Sequence, residues 1–238
     1  MGSLHAFFTF LGDGDHWVGP HGIPHRTYEH LRLSLTAIAI SAAIAMPLAA
    51  WLGHIRRGGV VAQWMLNIGR AVPSLAILAI VFRVSLQWGF GLGFWPVVPA
   101  LVALGIPPLF ANTYAGVAGV DPTVIEAAKG MGFRPGQVLT KVEIPNALPL
   151  ALAGLRVASL QVIATATLGA YVAFDALGSF INEGFRQQDP GKLLTGSVAV
   201  ALLALAFDGG LGLAARRASP WRRIDRRVTT ADDPIESV

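Results

Sequence analysis

The stretch from Leu33 to Leu52 contains no charged residue, and it restricts the fold more than any other part of the chain. A membrane-crossing helix needs about 20 mostly apolar residues to traverse a hydrocarbon core roughly 30 Å thick, and this stretch has that length. Because hydrocarbon offers the backbone no hydrogen-bond partner, such a stretch must pair its own N–H and C=O groups, as an α-helix does. The sequence therefore predicts a transmembrane helix here.

Four further stretches have a similar length and composition. Only 13% of the 238 residues are charged, about half of the roughly 25% that is typical of soluble domains, so most of the surface is predicted to face lipid. The predicted fold class is all-α, a polytopic membrane helix bundle with about five transmembrane helices. The predicted spans are 31–53, 60–84, 94–117, 146–173 and 192–215.

Basic residues lie in three clusters near the ends of these apolar stretches, and the net charge is +4. Positively charged loops stay in the cytoplasm, so such clusters orient the spans. With five spans all three clusters fall on one face, which predicts a cytoplasmic C-terminus and an outside N-terminus. This placement favours orientation over nucleic-acid binding. The clusters are Arg56 and Arg57; Lys129, Arg134 and Lys141; and the Arg pairs 216–217, 222–223 and 226–227.

Two terminal segments flank the predicted membrane domain of residues 31–215. Residues 1–30 lack the basic start and cleavage site of a removable signal peptide, so we predict an extracytoplasmic N-terminal segment. Its apolar part, Leu4–Leu11, is too short to span a bilayer and is expected at the outer interface. Residues 216–238 are charged and are predicted to form a cytoplasmic, disordered tail.

The segment between the third and fourth spans has the pattern of a folded unit rather than a simple loop. Asp121 followed by Pro122 is typical of a helix N-cap with proline at the first helical position. A short amphipathic helix is predicted from Thr123 to Lys129. Its apolar residues would need a protein groove to cover them. They are Val124, Ile125 and Ala128.

Two glycines follow this short helix. Gly130 and Gly132 are predicted to end it in a sharp turn, since glycine adopts the left-handed conformation that commonly follows a helix. A second short helix is predicted to start at Pro135 and to end at Ile144–Pro145.

The same segment resembles the EAA motif of ABC importer permeases. Glu126-Ala127-Ala128 is followed after three residues by Gly132, and after nine more by Val142-Glu143-Ile144-Pro145. The family pattern ends in I-x-L-P, and the substitutions at Val142 and Ile144 keep size and character. Residues 66–81, 106–121 and 145–172 are similar to permeases for glycine betaine, choline, carnitine or proline. The resemblance covers roughly residues 30–215.

The resemblance implies a type I importer permease of the bacterial inner membrane. Its EAA loop would form a coupling helix that docks on a separate ATPase. Two ATPase copies would bind ATP and Mg, while this chain would be non-catalytic and would bind no cofactor. A second permease, identical or related, and an extracytoplasmic substrate-binding protein complete the implied assembly. The residues carried over as the coupling contact are Glu126, Ala127, Ala128, Gly130, Gly132, Ile144 and Pro145.

The sequence agrees with an energy source on a separate chain. The chain contains no G-x-x-x-x-G-K-[ST] stretch, which in ATPases cradles the nucleotide phosphates.

Several polar residues in the spans are candidates for the translocation pathway. Gln161 and Thr165 are four residues apart and share a helix face, which could line the pathway or pack against another helix. Arg70 could line it too, or could end a helix that Pro73 kinks. Asp208 is a proton site or, as we favour, pairs with a basic group such as Arg216.

An outer loop is predicted at 175–190. Its charged residues could contact the binding protein, although a solvated loop is the favoured interpretation. These residues are Glu183, Arg186 and Asp189.

Two other classes of function compete with the importer hypothesis. A secondary transporter or channel would need no ATPase, but the sequence shows no convincing internal repeat and would give the EAA segment no role. An intramembrane enzyme would need reactive groups inside the bilayer. Cysteine is absent, and the histidines, at 5, 16, 21, 25, 30 and 54, are predicted to lie outside the spans. Which osmoprotectant is carried, and whether the permease pair is homodimeric, stay open.

Overall fold

The computed structural model describes residues 2–71, 73–89 and 91–218, and within these ranges it contains helices and no strands. The tail predicted from residue 216 therefore lies outside the described residues from 219 onward. The α-helices are α1 (Ser3–Gly12), α2 (Ile23–His54), α3 (Gly59–Ala71), α4 (Ser74–Gln87), α5 (Phe94–Ala118), α6 (Pro122–Gly130), α7 (Pro135–Val138), α8 (Ile144–Thr165), α9 (Leu177–Gln187) and α10 (Pro190–Ala218).

Four helical segments are long and apolar enough to cross a membrane: α2, α5, the continuous segment Pro135–Val172 that contains α8, and Pro190–Ala215 of α10. They coincide with four of the five predicted spans. The helix α2 begins at Ile23, where Gly22 and Pro24 supply a favourable helix start, so the boundary predicted at residue 30 falls inside this helix.

The second predicted span, 60–84, is two helices rather than one. Pro73 has an extended backbone at the start of α4 and has no N–H to donate, so it separates α4 from α3. Arg70 belongs to the last turn of α3, and its side chain lies outside the part of the molecule that the structure describes.

Together, α3 and α4 nevertheless make one further crossing of the bundle, in addition to the four long segments. It is the second crossing along the chain. Arg56, just after α2, donates hydrogen bonds to the carbonyl oxygens of Ala118 and Val120, so α2 and α5 finish at the same end. We call this the coupling end. The chain must therefore return between them through α3 and α4. At the opposite end, the N–H of Gly93 before α5 donates to the carbonyl of Val172 at 3.0 Å.

The helix α5 forms the centre of the bundle. In its most apolar window 72% of the residues are buried, against 11% in α10, so α5 is enclosed by protein while α10 lies at the periphery. It packs against α2, α3, α4 and α8. Its fully or almost fully buried side chains include Val97, Leu101, Leu104, Leu109 and Phe110.

Glycines permit the close contacts of α5 with its neighbours. A Cβ atom on Gly154 of α8 would lie 2.7 Å from the Cβ of Asn112 and 2.9 Å from the carbonyl oxygen of Pro108. A Cβ on Gly105 would lie 2.6 Å from the Oγ of Ser41 in α2. Small residues let membrane helices approach closely and gain dispersion contacts, which take the place of a hydrophobic driving force in lipid.

The predicted outer loop at 175–190 does connect the fourth and fifth spans, but most of it forms the helix α9. Glu183 accepts hydrogen bonds from Arg26 at 2.7 Å and Lys192 at 2.9 Å. Burial raises the pKa of Glu183, but these two cationic donors together lower it by more. Asp189 caps α10 by accepting from the N–H of Gly191 at 2.9 Å. These charges hold the ends of α2, α9 and α10 together.

Helix α1, which covers the predicted interfacial stretch Leu4–Leu11, packs against α9 and α10. Phe10 is buried in a cluster with Leu177, Phe180 and Val200.

The prediction that all six histidines lie outside the spans is wrong. His25 and His30 belong to α2 because this helix begins earlier than predicted, and His54 belongs to it because the helix ends one residue later than the predicted span 31–53. His30 is fully buried, and its Nε2 donates to the carbonyl oxygen of Ile163 at 2.9 Å. That carbonyl lies where α8 passes into the 3₁₀ segment Ala166–Val172, so His30 supports the end of α8.

The contact at Gly154 can be tested by adding one methyl group. Gly154→Ala should destabilise the detergent-solubilised protein by about 1–3 kcal/mol, the usual cost of overpacking, and should lower its Tm. Gly209→Ala in α10 is the matched control, since no described atom lies within 4 Å of the added Cβ and alanine favours a helix. Equal Tm values for the two variants would contradict the α5–α8 packing.

Candidate functional site

The predicted start of the short helix is confirmed. The Oδ1 atom of Asp121 accepts hydrogen bonds from the backbone N–H and the hydroxyl of Thr123, each at 2.8 Å, and Pro122 occupies the first turn of α6. The backbone hydrogen bond, followed by the hydroxyl bond, lowers the pKa of Asp121, since both favour its charged form. The cap thus holds α6 in place at neutral pH.

The helix α6 buries one side inside its own loop. Ile125 and Ala128 are buried, as predicted. Val124 is 44% exposed, so the prediction that it is covered together with them is wrong. At about 100° per residue, Ala128 lies between Val124 and Ile125, about 40° from the first and 60° from the second, so Val124 is at the outer edge of this side. The cluster around Ile125 and Ala128 contains Val120, Val138, Phe133 and Val142.

The turn after α6 depends on Gly132. This residue has a φ of +83°, a conformation that glycine adopts without strain. The turn brings the N–H of Phe133 back to the carbonyl of Ala128 at 3.1 Å, and the Phe133 ring then packs against the buried cluster. Gly130 is the last residue of α6 and has no such backbone requirement.

The prediction that the second short helix ends at Ile144–Pro145 is wrong. The helix starts at Pro135, as expected, but continues through a π-helical turn, Leu139–Glu143, directly into α8. The wider turn pairs the N–H of Ile144 with the carbonyl of Leu139, five residues earlier. Pro145 then lies in the first turn of α8, where a missing N–H is tolerated. The loop is therefore continuous with a membrane-spanning helix.

Buried charge ties this loop to two other spans. The carboxylate of Glu143 is almost fully buried, and its Oε2 lies 2.5 Å from the Nδ1 of His54 at the end of α2. Arg56 approaches the same carboxylate at 3.9 Å and also bonds the carbonyl oxygens of Ala118 and Val120. We call Glu143, His54 and Arg56 the tether. In the sequence, Arg56 and Arg57 indicated only the orientation of the spans, and no pattern linked His54 to Glu143.

The residues of the EAA motif divide between two sides of the loop. Ala128 is only 1% exposed and points into the loop. Pro145 is half-buried at the start of α8. The remaining motif residues form an exposed surface that a partner could contact. They are Glu126, Ala127, Gly130, Gly132 and Ile144.

The pathway candidates lie in separate helices. Gln161 and Thr165 are one turn apart on α8 and both are partly exposed. Arg70 belongs to α3, with its side chain outside the described part. Asp208 is paired, as favoured, but its partner is Arg156 of α8 rather than the suggested Arg216.

Comparison with known proteins identifies the family. Residues 32–220 match the model for the binding-protein-dependent transport system inner membrane component. The chain belongs to this family. It is a multi-pass inner membrane protein, as its apolar helices also indicate.

Two curated members of the family resemble the chain over most of their length. The choline transport system permease protein OpuBB of Bacillus subtilis is 34% identical over 82% of this chain and 88% of its own. The carnitine transport permease protein OpuCB of Listeria monocytogenes is also 34% identical, over 91% of this chain and 95% of its own.

Solved structures share the fold of this inner membrane component. An inward-facing MetNI methionine ABC transporter matches with a TM-score of 0.70 and 19% identity, over 82% of this chain and 95% of the other. An amino acid ABC transporter with histidines matches with a TM-score of 0.69 and 19% identity, over 89% and 98%. The predicted fold class, an importer permease helix bundle, is thus confirmed.

The tether can be tested with two adjacent arginines. Arg56→Ala removes the donors to the ends of α5 and of the loop, so amide hydrogen exchange between 119 and 131 should become faster. Arg57→Ala is the matched control. Arg57 is exposed, and its replacement removes the same charge but none of the hydrogen bonds described for Arg56. Exchange should be measured by mass spectrometry. Equal acceleration in both variants would indicate that charge alone matters.

Proposed function

We propose that this chain forms the translocation pathway of an ATP-driven importer for osmoprotectants such as glycine betaine, choline, carnitine or proline. The observation that carries the proposal is the exposed face of α6 on a compact loop continuous with α8. Support for the substrate class comes from the resemblance to permeases whose names specify choline and carnitine.

The exposed face of α6 suits docking into a cleft of an ATPase. Ala127 and Gly130 have little or no side chain, so a partner can approach the backbone closely, and Glu126 adds a charge beside them. Ala128 packs under the helix, and Gly132 shapes the turn at its end. Ile144 and Pro145 join the loop to α8.

Docking alone moves nothing unless the loop transmits the displacement. The π-turn links the loop to α8, and the tether links it to the ends of α2 and α5. When ATP closes the ATPase pair, the coupling helices would be drawn together, and these three spans would follow as a rigid body. The pathway would then switch from inward-open to outward-open.

The assembly contains two ATPase copies that bind ATP and Mg, a second permease and an extracytoplasmic binding protein. This chain is the non-catalytic permease subunit. The basic residues Arg56, Arg57 and Lys129 lie at the coupling end, which supports a cytoplasmic coupling end and an N-terminus outside. Gln161 and Thr165 of α8, and Arg70 of α3, are the proposed pathway residues.

Co-purification tests this assembly. The tagged chain is extracted gently from its own membranes, and the proteins that accompany it are identified by mass spectrometry. We expect a nucleotide-binding subunit, with or without a second permease. Recovery of this chain alone, together with uptake that needs no ATP, would favour a secondary transporter instead.

Gly132 provides a test of the loop conformation. Gly132→Ala places a side chain on a left-handed residue, at a cost of about 1–2 kcal/mol, and should reduce uptake driven by ATP hydrolysis in reconstituted complexes. Gly136→Ala is the matched control, because an added Cβ meets no described atom within 4 Å at either position and only Gly132 has positive φ. Loss of uptake in both variants would contradict the role of the turn.

Glu126 provides a test of the docking surface itself. Glu126→Trp should leave membrane insertion intact, because this side chain is exposed, but should uncouple ATP hydrolysis from uptake. Hydrolysis and uptake are measured together in proteoliposomes. Unchanged coupling would argue strongly against docking through α6.

A further inference from the structure

An ion pair joins α8 to α10 within the membrane-spanning part of the bundle. The Nε of Arg156 donates to Oδ1 of Asp208 at 2.8 Å, and Nη2 donates to Oδ2 at 2.6 Å. This two-pronged geometry is among the strongest that side chains form. Both residues belong to helices that are long and apolar enough to span a membrane.

The pair is open on one side. The Arg156 side chain is 42% exposed and that of Asp208 is 22% exposed. A charged side chain in the middle of a bilayer costs about 2.5–3.5 kcal/mol even on the mildest scale, and such residues face a bundle interior or a water-filled cavity. The open side of the pair is therefore expected to face water or polar groups in the assembled transporter, and not lipid.

The position of Arg156 on α8 agrees with this. One side of α8 is exposed along its length. Arg156 lies at one edge of that side and the pathway candidate Gln161 at the other, about 140° apart at 100° per residue. The two edges of this face are polar and can border an aqueous space, whereas the residues between them are apolar. The exposed residues between them are Leu150, Ala153, Val157, Leu160 and Ala164.

The helix α10 leaves room beside the pair. A Cβ on Gly212 would lie 3.6 Å from the Cζ of Arg156, and a Cβ on Gly209 would meet no described atom within 4 Å. Neither residue has a side chain that would cover the guanidinium. The open side of the pair is thus accessible to a small molecule.

We propose that Arg156 and Asp208 form a recognition site for a small zwitterion that carries a carboxylate and a quaternary ammonium group. A guanidinium has five N–H donors, and Asp208 engages two of them, so three can bind a substrate carboxylate. The ammonium group has no N–H to donate and makes no hydrogen bond with the pair, so the role of Asp208 is to hold the Arg156 guanidinium in place. The inference rests on the proposed transport function and deepens it.

The proposal separates two kinds of osmoprotectant. Glycine betaine and carnitine have a carboxylate that Arg156 can bind, whereas choline has a hydroxyl in its place. If the pair only joined α8 to α10, its loss would reduce the transport of all substrates alike. A substrate-dependent loss is therefore the signature of recognition.

The test uses the complete transporter in liposomes and measures ATP-driven uptake of glycine betaine and of choline. The double variant Arg156→Gln, Asp208→Asn keeps polar side chains of similar size and removes both charges. Glycine betaine uptake should fall about ten- to a hundredfold, the worth of a hydrogen bond to a charged group, while choline uptake stays within about twofold. Lys192→Gln, which removes a different ion pair from α10, is the control and should change neither.

A milder variant protects the test against misfolding. Arg156→Lys keeps the charge but loses the planar fork, so it should raise the KM for glycine betaine and leave that for choline unchanged. Equal losses for both substrates in these variants, or wild-type uptake of choline without glycine betaine, would overturn the recognition site while leaving the importer intact. Wild-type uptake of none of the four compounds glycine betaine, choline, carnitine and proline would instead refute the proposed function.

Discussion

The hydrocarbon core supplies no hydrogen bonds, and every part of this structure reflects that condition. The backbone crosses the bundle as helices, and departures from the α-helix lie near its ends: the π-turn before α8 at the coupling end and the 3₁₀ segment after it at the other. Near one of these departures a buried side chain adds a hydrogen bond to a backbone carbonyl, as His30 does for Ile163. One pair of charges inside the bundle joins Arg156 to Asp208.

The loop that contains α6 illustrates how a short motif acquires mechanical stiffness. Nine residues of α6 could not hold a fixed orientation alone, because so short a helix is unstable in isolation. Three additions supply the rigidity: a side-chain cap at Asp121, an apolar cluster beneath Ile125 and Ala128, and the buried carboxylate of Glu143. The exposed residues of α6 can then include small ones, because the contacts on its buried side fix the position of the helix.

Local patterns predicted this fold well, and contacts between distant residues escaped them. Apolar length predicted the spans, and the Asp-Pro pair predicted the start of α6, because both depend on neighbouring residues. The partner of Glu143 is 89 residues away and that of Asp208 is 52 residues away, so no spacing rule could find them. The loop expected at 175–190 became α9 because charges from α2 and α10 stabilise it, which is a tertiary effect.

The broken crossing has a consequence for how the chain enters the membrane. Neither α3 nor α4 is long enough to span a bilayer, so neither has the hydrophobic length on which independent insertion depends. Both pack against α5, which the ribosome synthesises later. The contacts that hold the second crossing to the centre of the bundle can therefore form only after α5 has emerged, so its packing is completed by a part of the chain that is synthesised later.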